Sequence, residues 1–259
     1  MAAEPVFVAI DFTADVLRVL IAEQDGEQAL QREEWPLPEL ADEDAWSWEV
    51  GGRVATLFAQ DGARRSAIGI GIAAPGTIDA ISGKLVRSTG QPQWDGLAVV
   101  ESLRRHIDAP IVAESRTVAA LSGERWQGAA GGASDALYVS LRGEPSAAVF
   151  AGGRPVRGAH GFAGAMPAAP ELRDSADAAD AIEAVVGVIA DATALLDPEV
   201  VVLDAPDDEL ARLVPLVQRV VDEIAPGPQV VPAALGERGA LVGALLLAET
   251  VAYEGGLSQ

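Results

Sequence analysis

The sequence predicts an α/β fold built twice, each half a mixed sheet flanked by helices, and three observations carry that expectation. The 259 residues are 49% hydrophobic and 22% charged, a balance that collapses into a globular core. Short β-rich runs alternate with helix-length segments, which calls for parallel pairing with helices over the sheet faces. One order, three strands and then helix, strand, helix, strand and helix, is read twice along the chain.

In the first half, Pro5 to Asp11 and Val16 to Glu23 are apolar strands separated by four residues, and Asp25-Gly26 turns the chain into a more polar run, Gln28 to Trp35. Together they form a meander. A helix is expected at about Asp44 to Ala59, an apolar strand at Ala67 to Ala73 and a turn-rich segment to Gly96. A helix at about Leu97 to Ile107, a strand at Ala109 to Ala113 and a helix at Arg116 to Gln127 follow.

The second half opens with strands at Ala136 to Leu141, Ser146 to Ala151 and Arg154 to Val156, the last two joined at Gly152-Gly153, a pair suited to a hairpin turn. Then come a helix at about Ala176 to Leu195, a strand Glu199 to Leu203, a helix at about Asp207 to Ile224, a strand Gln229 to Val231 and a helix at about Gly239 to Tyr253. The expected division is a small N-terminal lobe, residues 1–113 joined by the C-terminal helix 239–255, and a large lobe, residues 114–238. Two such halves facing each other leave a cleft, lined by the loops beyond the strands' carboxyl ends.

Composition removes whole classes of chemistry. With no cysteine there is no disulfide framework, no Cys-ligated zinc, no iron–sulfur cluster and no thiol nucleophile. Two histidines, His106 and His160, are too few for a histidine-rich metal site. No apolar run reaches the ~20 residues of a membrane span, and no basic leader precedes the first strand, so a soluble cytoplasmic protein is expected. Eighteen Lys and Arg against 39 Asp and Glu leave a net charge of −21. Nucleic acid is not an expected partner, because cation contacts to phosphate dominate that affinity.

Several stretches, in order, resemble the ROK family of bacterial sugar kinases and sugar-responsive repressors, of the actin and hexokinase superfamily. They are AIGIGIAAPGTIDAISGKLVRS (Ala67 to Ser88), Trp94-Asp95-Gly96, APIVAES (Ala109 to Ser115), AALSGERWQGAAGG (Ala119 to Gly132), PVRGAHGFAG (Pro155 to Gly164), LLDPEVVVLD (Leu195 to Asp204) and VPAALGERGALVGALLLA (Val231 to Ala248). The resemblance covers nearly the whole chain. It implies a duplicated actin-like, ribonuclease H-like ATPase fold and, as for many family members, a homodimer. Family repressors carry a helix-turn-helix ahead of the first strand, which here begins at about Pro5; a DNA-reading module is therefore not expected.

Phosphoryl transfer needs backbone N–H groups that approach the phosphates, a base for the sugar hydroxyl, and a divalent cation with its carboxylate. The family's first loop is DxGGT-like; here it reads Asp11-Phe12-Thr13-Ala14-Asp15. Asp11 matches, both glycines are replaced, and Asp15 adds a negative charge. Asp11 is either a Mg²⁺-linked carboxylate or a strand-end aspartate that caps a turn. The family's base lies in an END-like motif, which here is Glu114-Ser115-Arg116. Arginine has no basic lone pair and cannot act as a general base. Two readings of Arg116 stay open: it holds an anion such as a sugar phosphate, or it pairs with Glu114 or Asp11 across the cleft.

The remaining loops depart in the same direction. The second phosphate loop, Leu141 to Ser146, keeps Gly143 but carries Glu144, and Pro145 removes an N–H donor. The adenosine-side loop, Asp204-Ala205-Pro206-Asp207-Asp208-Glu209, reads as an acidic helix start instead of a glycine-rich turn. The family's two sugar-binding asparagines correspond to Gly90 and Ser115. Its GExxH-like pair corresponds to Gly164-Ala165-Met166-Pro167-Ala168, with neither glutamate nor histidine. The family's zinc loop is replaced by the shorter Ala168 to Ala179, and His160 is expected to be a turn residue.

The reading is a degenerate ROK member, a pseudokinase serving in binding, regulation or assembly, with no intact catalytic residue, no expected cofactor and no zinc. Asp11 and Gly143 remain as nucleotide-side candidates, and Arg116, Glu114 and His160 as candidate substrate or anion contacts. One alternative is an active sugar kinase using Mg-ATP, with Asp11, Asp15, Glu114 or Glu144 in the metal and base roles. The other is a sugar-phosphate or anion sensor built on Arg116. Trp35, Trp46 and Trp48, near Asp42, Glu43, Asp44 and Glu49, form either a cap on the small lobe or an exposed binding patch. Arg104-Arg105-His106 reads as a solvated helix end.

Overall fold

The computed structural model describes residues 3–24, 29–60, 64–166, 178–225 and 227–256. The chain divides into two units, residues 1–123 with 240–259, and residues 124–239. The division falls inside a helix, beyond the expected boundary at Ala113.

The first unit holds β1 (Glu4–Phe12), β2 (Val16–Glu23), β3 (Ala29–Pro36), β4 (Arg65–Ala74) and β7 (Ile111–Ser115). They form one sheet in the order β3-β2-β1-β4-β7, antiparallel up to β1 and parallel beyond it. The turn Asp25-Gly26 lies outside the described residues. The helix expected at Asp44 to Ala59 forms in three pieces: α1 (Glu43–Trp46), a π-helical turn (Ser47–Gly51) and α2 (Gly52–Gln60). Asp42 caps the start by accepting from the Ala45 N–H at 2.8 Å. Trp46 is buried among Phe12, Val50, Val54 and Trp94, so the cap reading holds for Trp46. Trp48, on the π-helical turn, is exposed.

The turn-rich segment contains a hairpin, β5 (Gly76–Asp79) and β6 (Lys84–Ser88). It escaped the sequence reading because both strands are short and β6 is mostly exposed. After it come α3 (Val99–Arg104) and, following β7, α4 (Arg116–Gln127). At the helix end after α3, Arg104 and Arg105 are exposed as expected, and His106 is partly buried. Arg105 binds Glu43 and Asp44 at 2.9 and 3.0 Å, and His106 packs on Gly51 with its Nε2 3.0 Å from the Ser47 hydroxyl.

The second unit repeats the plan with β8 (Ala136–Ser140), β9 (Ser146–Ala151), β10 (Arg154–Pro155), β11 (Val200–Asp204) and β12 (Gln229–Pro232), in the order β10-β9-β8-β11-β12. The helices are α5 (Ala178–Leu196), α6 (Asp207–Ile224) and, returning to the first unit, α7 (Gly239–Gly256). Strand β11 is buried along its whole length, as its unbroken apolar sequence requires of a central parallel strand. Helix α6 turns Leu213, Val217 and Val221, one per turn, into that core. The glycines of AIGIGIAA have a packing role. A Cβ on Gly69 or Gly71 would strike the carbonyl oxygen of Ala248 or Ala244 in α7, so only glycine lets that helix lie this close to β4.

Candidate functional site

In the first unit the site is built at the carboxyl ends of the parallel strands. Strand registers place Glu34, Arg18, Asp11, Ala73 and Glu114 in one row across all five strands. Asp11 is completely buried and accepts from two arginines. Arg116 reaches it with Nε at 2.5 Å and Nη2 at 3.2 Å, and Arg18 with Nη1 at 3.4 Å. Arg18 also donates through Nε to Glu34 at 2.9 Å. A buried carboxylate held by a forked guanidinium is satisfied in both charge and geometry.

Of the partners weighed for Arg116, Asp11 is one it binds, and that pair lies within one unit, between the end of β1 and the start of α4. Glu114 is buried at the end of β7, two strands from Asp11, and accepts from the Ser115 N–H at 2.9 Å. Strand β7 runs two residues further than expected, so Glu114 and Ser115 belong to the strand end. Ser115 caps α4 by accepting from the Val118 N–H at 3.2 Å.

The first loop is closed on itself. Thr13 N–H donates to the Val16 carbonyl at 2.9 Å, and the Thr13 hydroxyl accepts from the Asp15 and Val16 N–H groups at 3.3 and 3.1 Å. Three of the N–H groups that a glycine loop would turn toward an anion are used inside this turn. Asp15 is exposed at its tip.

In the second unit the equivalent strand ends gather around Asp204, at the end of β11. It is nearly buried and accepts from the Tyr138 hydroxyl at 2.9 Å, the Ser140 hydroxyl at 3.3 Å and Arg142 Nε at 2.7 Å. Arg142 also donates through Nη2 to the Ala205 carbonyl at 2.8 Å and lies 3.6 Å from Glu237. Burial works against the Arg142 charge. The Asp204 hydrogen bond and charge, helped by Glu237 and Tyr138, outweigh it and hold the guanidinium pKa above its ordinary value.

Gly143 follows Arg142 in a left-handed turn, φ +83°, and faces open space. The adenosine-side loop is a helix start as expected: Pro206 accepts from the Glu209 and Leu210 N–H groups, and Asp207, Asp208 and Glu209 fill the first turn of α6. His160 is exposed in a turn between Gly158 and Gly161. Gly164 O accepts from the Ala147 N–H at 2.9 Å, tying that segment to β9. Pro167, Ala168 and most of the Ala168 to Ala179 segment lie outside the described residues. Among the described residues no group of three or more His, Asp and Glu could hold a metal ion, and no helix is long and apolar enough to cross a membrane.

Sequence reasoning passed over four side chains that matter here. Arg18 was legible: a two-stranded hairpin that turns at Ala14-Asp15 sets residue 18 opposite residue 11. Arg142 and Asp204 were read only as absences of glycine. Glu124 was quoted inside a motif and given no role. It is fully buried and accepts from the N–H groups of Ala129, Ala234 and Leu235 at 2.7, 3.1 and 2.7 Å, clamping the loop after β12 to the end of α4.

The sequence profile of the ROK family matches residues 7–167. A xylose repressor from Caldicellulosiruptor bescii is 30% identical over 97 residues, 38% of this chain and 24% of the repressor. The chain thus matches about a quarter of the length of the curated relatives. Among solved structures, a ROK family transcriptional regulator, a homolog of the E. coli MLC protein, superposes with a TM-score of 0.79 at 16% identity, over 97% of this chain and 79% of that one. A ROK family glucokinase from Streptomyces griseus, in complex with glucose and AMPPNP, superposes with a TM-score of 0.70 at 16% identity, over 95% of this chain and 99% of that one.

Proposed function

The chain belongs to the ROK family, and we propose that within it this is a non-catalytic member, a sugar-kinase fold kept for binding or regulation. The observation that carries the reading is the bidentate bond from Arg116 to Asp11. The resemblance puts the family's proton acceptor at residue 116, where this chain has a permanent cation. That cation holds the carboxylate which the same resemblance links to the metal.

The residues at the strand ends do not fit a magnesium-bound nucleoside triphosphate. Asp11 is already neutralised by two guanidiniums, the first loop spends three N–H groups on itself, and Asp204 is closed by Arg142, Tyr138 and Ser140. Three carboxylates occupy the first turn of α6, where an anion would otherwise meet the positive end of the helix.

The test is a thermal-shift panel with Mg-ATP, Mg-ADP, hexoses, amino sugars and their phosphates, followed by coupled ATP turnover with the same sugars. The expected result is no turnover above background. Sugar-dependent turnover that Asp11→Asn abolishes would overturn the proposal and restore the kinase alternative. A shift with a phosphorylated sugar alone, lost in Arg116→Ala, would favour the anion sensor. That ligand has to compete with Asp11 for the guanidinium. The proposal includes a homodimer. Support comes from α5, whose solvent side carries the exposed Val188 and Leu195; sedimentation of the intact chain checks it.

A further inference from the structure

One feature of the first unit takes no part in the strand-end chemistry. Beside the edge strand β3, the π-helical turn and the start of α2 border a groove of about 500 Å³. Its walls include Trp35 and Glu33 of β3, Trp48 and Glu49 of the π-helical turn, and Gly52 and Arg53 of α2. The helical members recur about one turn apart, so one helix face lines the groove. The groove already stabilises one cation. The Arg53 guanidinium lies over the Trp35 ring, 5.6 Å from its centroid, and donates to Glu49, its Nε at 2.6 Å.

The rest of the groove has the same parts without a guanidinium of its own. Trp48 is 75% exposed, braced edge-on by His106 at 5.6 Å between ring centroids. Glu33 accepts a hydrogen bond from the Gln31 amide at 3.2 Å, a neutral donor that leaves the carboxylate its charge. Two carboxylates against one guanidinium give the lining a net charge of −1. Gly52 opens onto free space: its backbone is helical, φ −63°, and a Cβ there would meet no atom within 4 Å. A π-helical turn inside an α-helix is itself a frequent mark of a functional site.

We propose that this groove binds a small organic ammonium cation between the Trp48 indole and the Glu33 carboxylate. An indole face attracts a cation through its quadrupole, and a methylated ammonium loses less hydration there than a bare one. A carboxylate supplies the countercharge, as Glu49 does for Arg53.

The test uses the intact chain and calorimetric titration with choline, at constant chloride, against its neutral isostere 3,3-dimethylbutan-1-ol. Choline is expected to bind with a dissociation constant on the order of 1 mM, and the isostere at least ~5-fold more weakly. Trp48→Ala should weaken choline about 10-fold. Gly52→Leu, whose Cβ has free space and whose side chain would occupy the groove, should abolish binding while the melting temperature stays unchanged. Lack of saturation by about 20 mM choline overturns the proposal. So does equal affinity for the isostere, or undiminished binding in a folded Gly52→Leu variant.

Discussion

The two units solve one electrostatic problem in different ways. Each ends its parallel strands on a buried carboxylate, and each neutralises it with arginine. In the first unit the carboxylate is Asp11 on β1, with the small Ala73 in register on β4; in the second it is Asp204 on β11, with the small Ser140 in register on β8. The acid has moved over by one strand. Its partners differ too: two guanidiniums bind Asp11, whereas Asp204 has one guanidinium and the hydroxyls of Tyr138 and Ser140. The repeated topology decides that strand ends meet in one place. The local sequence decides which strand carries the acid and what it needs in return.

The largest effect is expected where the acid depends on charge alone. Asp11→Ala should cost about 3–5 kcal/mol in urea denaturation, because it strands two partly buried guanidiniums. Adding Arg116→Ala should recover part of that loss, since removing both partners costs less than removing one. Asp204→Ala should cost less, about 1–3 kcal/mol, because two of its three donors are neutral hydroxyls. Equal losses at the two aspartates would break the contrast between the units.

Single arginine deletions sharpen it further. Arg116→Ala leaves Asp11 with Arg18, and Arg142→Ala leaves Asp204 with Tyr138 and Ser140, so each should cost about 1–2 kcal/mol in the same assay. The smallest effect lies in the β5–β6 hairpin, which has no counterpart among the described residues of the second unit. Asp79 accepts from the Ser82 N–H and hydroxyl and from the Ile81 N–H, which hold its carboxyl below the ordinary value. A lowered pKa stabilises the fold at neutral pH, and the gain is lost as pH falls through the shifted value. Asp79→Ala should therefore melt about 1–2 °C below the parent at pH 7, and the gap should narrow in acid.

Much of the fold was legible because strands and helices announce themselves locally. VVVL at residues 200–203 has no polar break and becomes the buried centre of its sheet, and Gly152-Gly153 makes the hairpin turn its positive φ values require. The hairpin at residues 76–88 was not legible, since its strands are only four and five residues long and the second is mostly exposed. At the site, Asp11, Glu114 and Arg116 were singled out through the resemblance to the family's loop motifs. The role of Glu124 was invisible, because the N–H groups of Ala234 and Leu235 that it binds lie 110 and 111 residues away in the chain.

The chain by itself determined the duplicated order of elements and the placement of Asp11 and Arg116 at strand and helix ends. These depend on residue type and short-range periodicity, which are written in sequence. The partner of Arg116 was decided only by tertiary structure. Parallel strands β1, β4 and β7 stack residues 11, 73 and 114 into one row, and that register brings a guanidinium 105 residues away to 2.5 Å from Asp11. Pairing across a sheet is set by how strands of distant sequence align, and that alignment exists only in the folded chain.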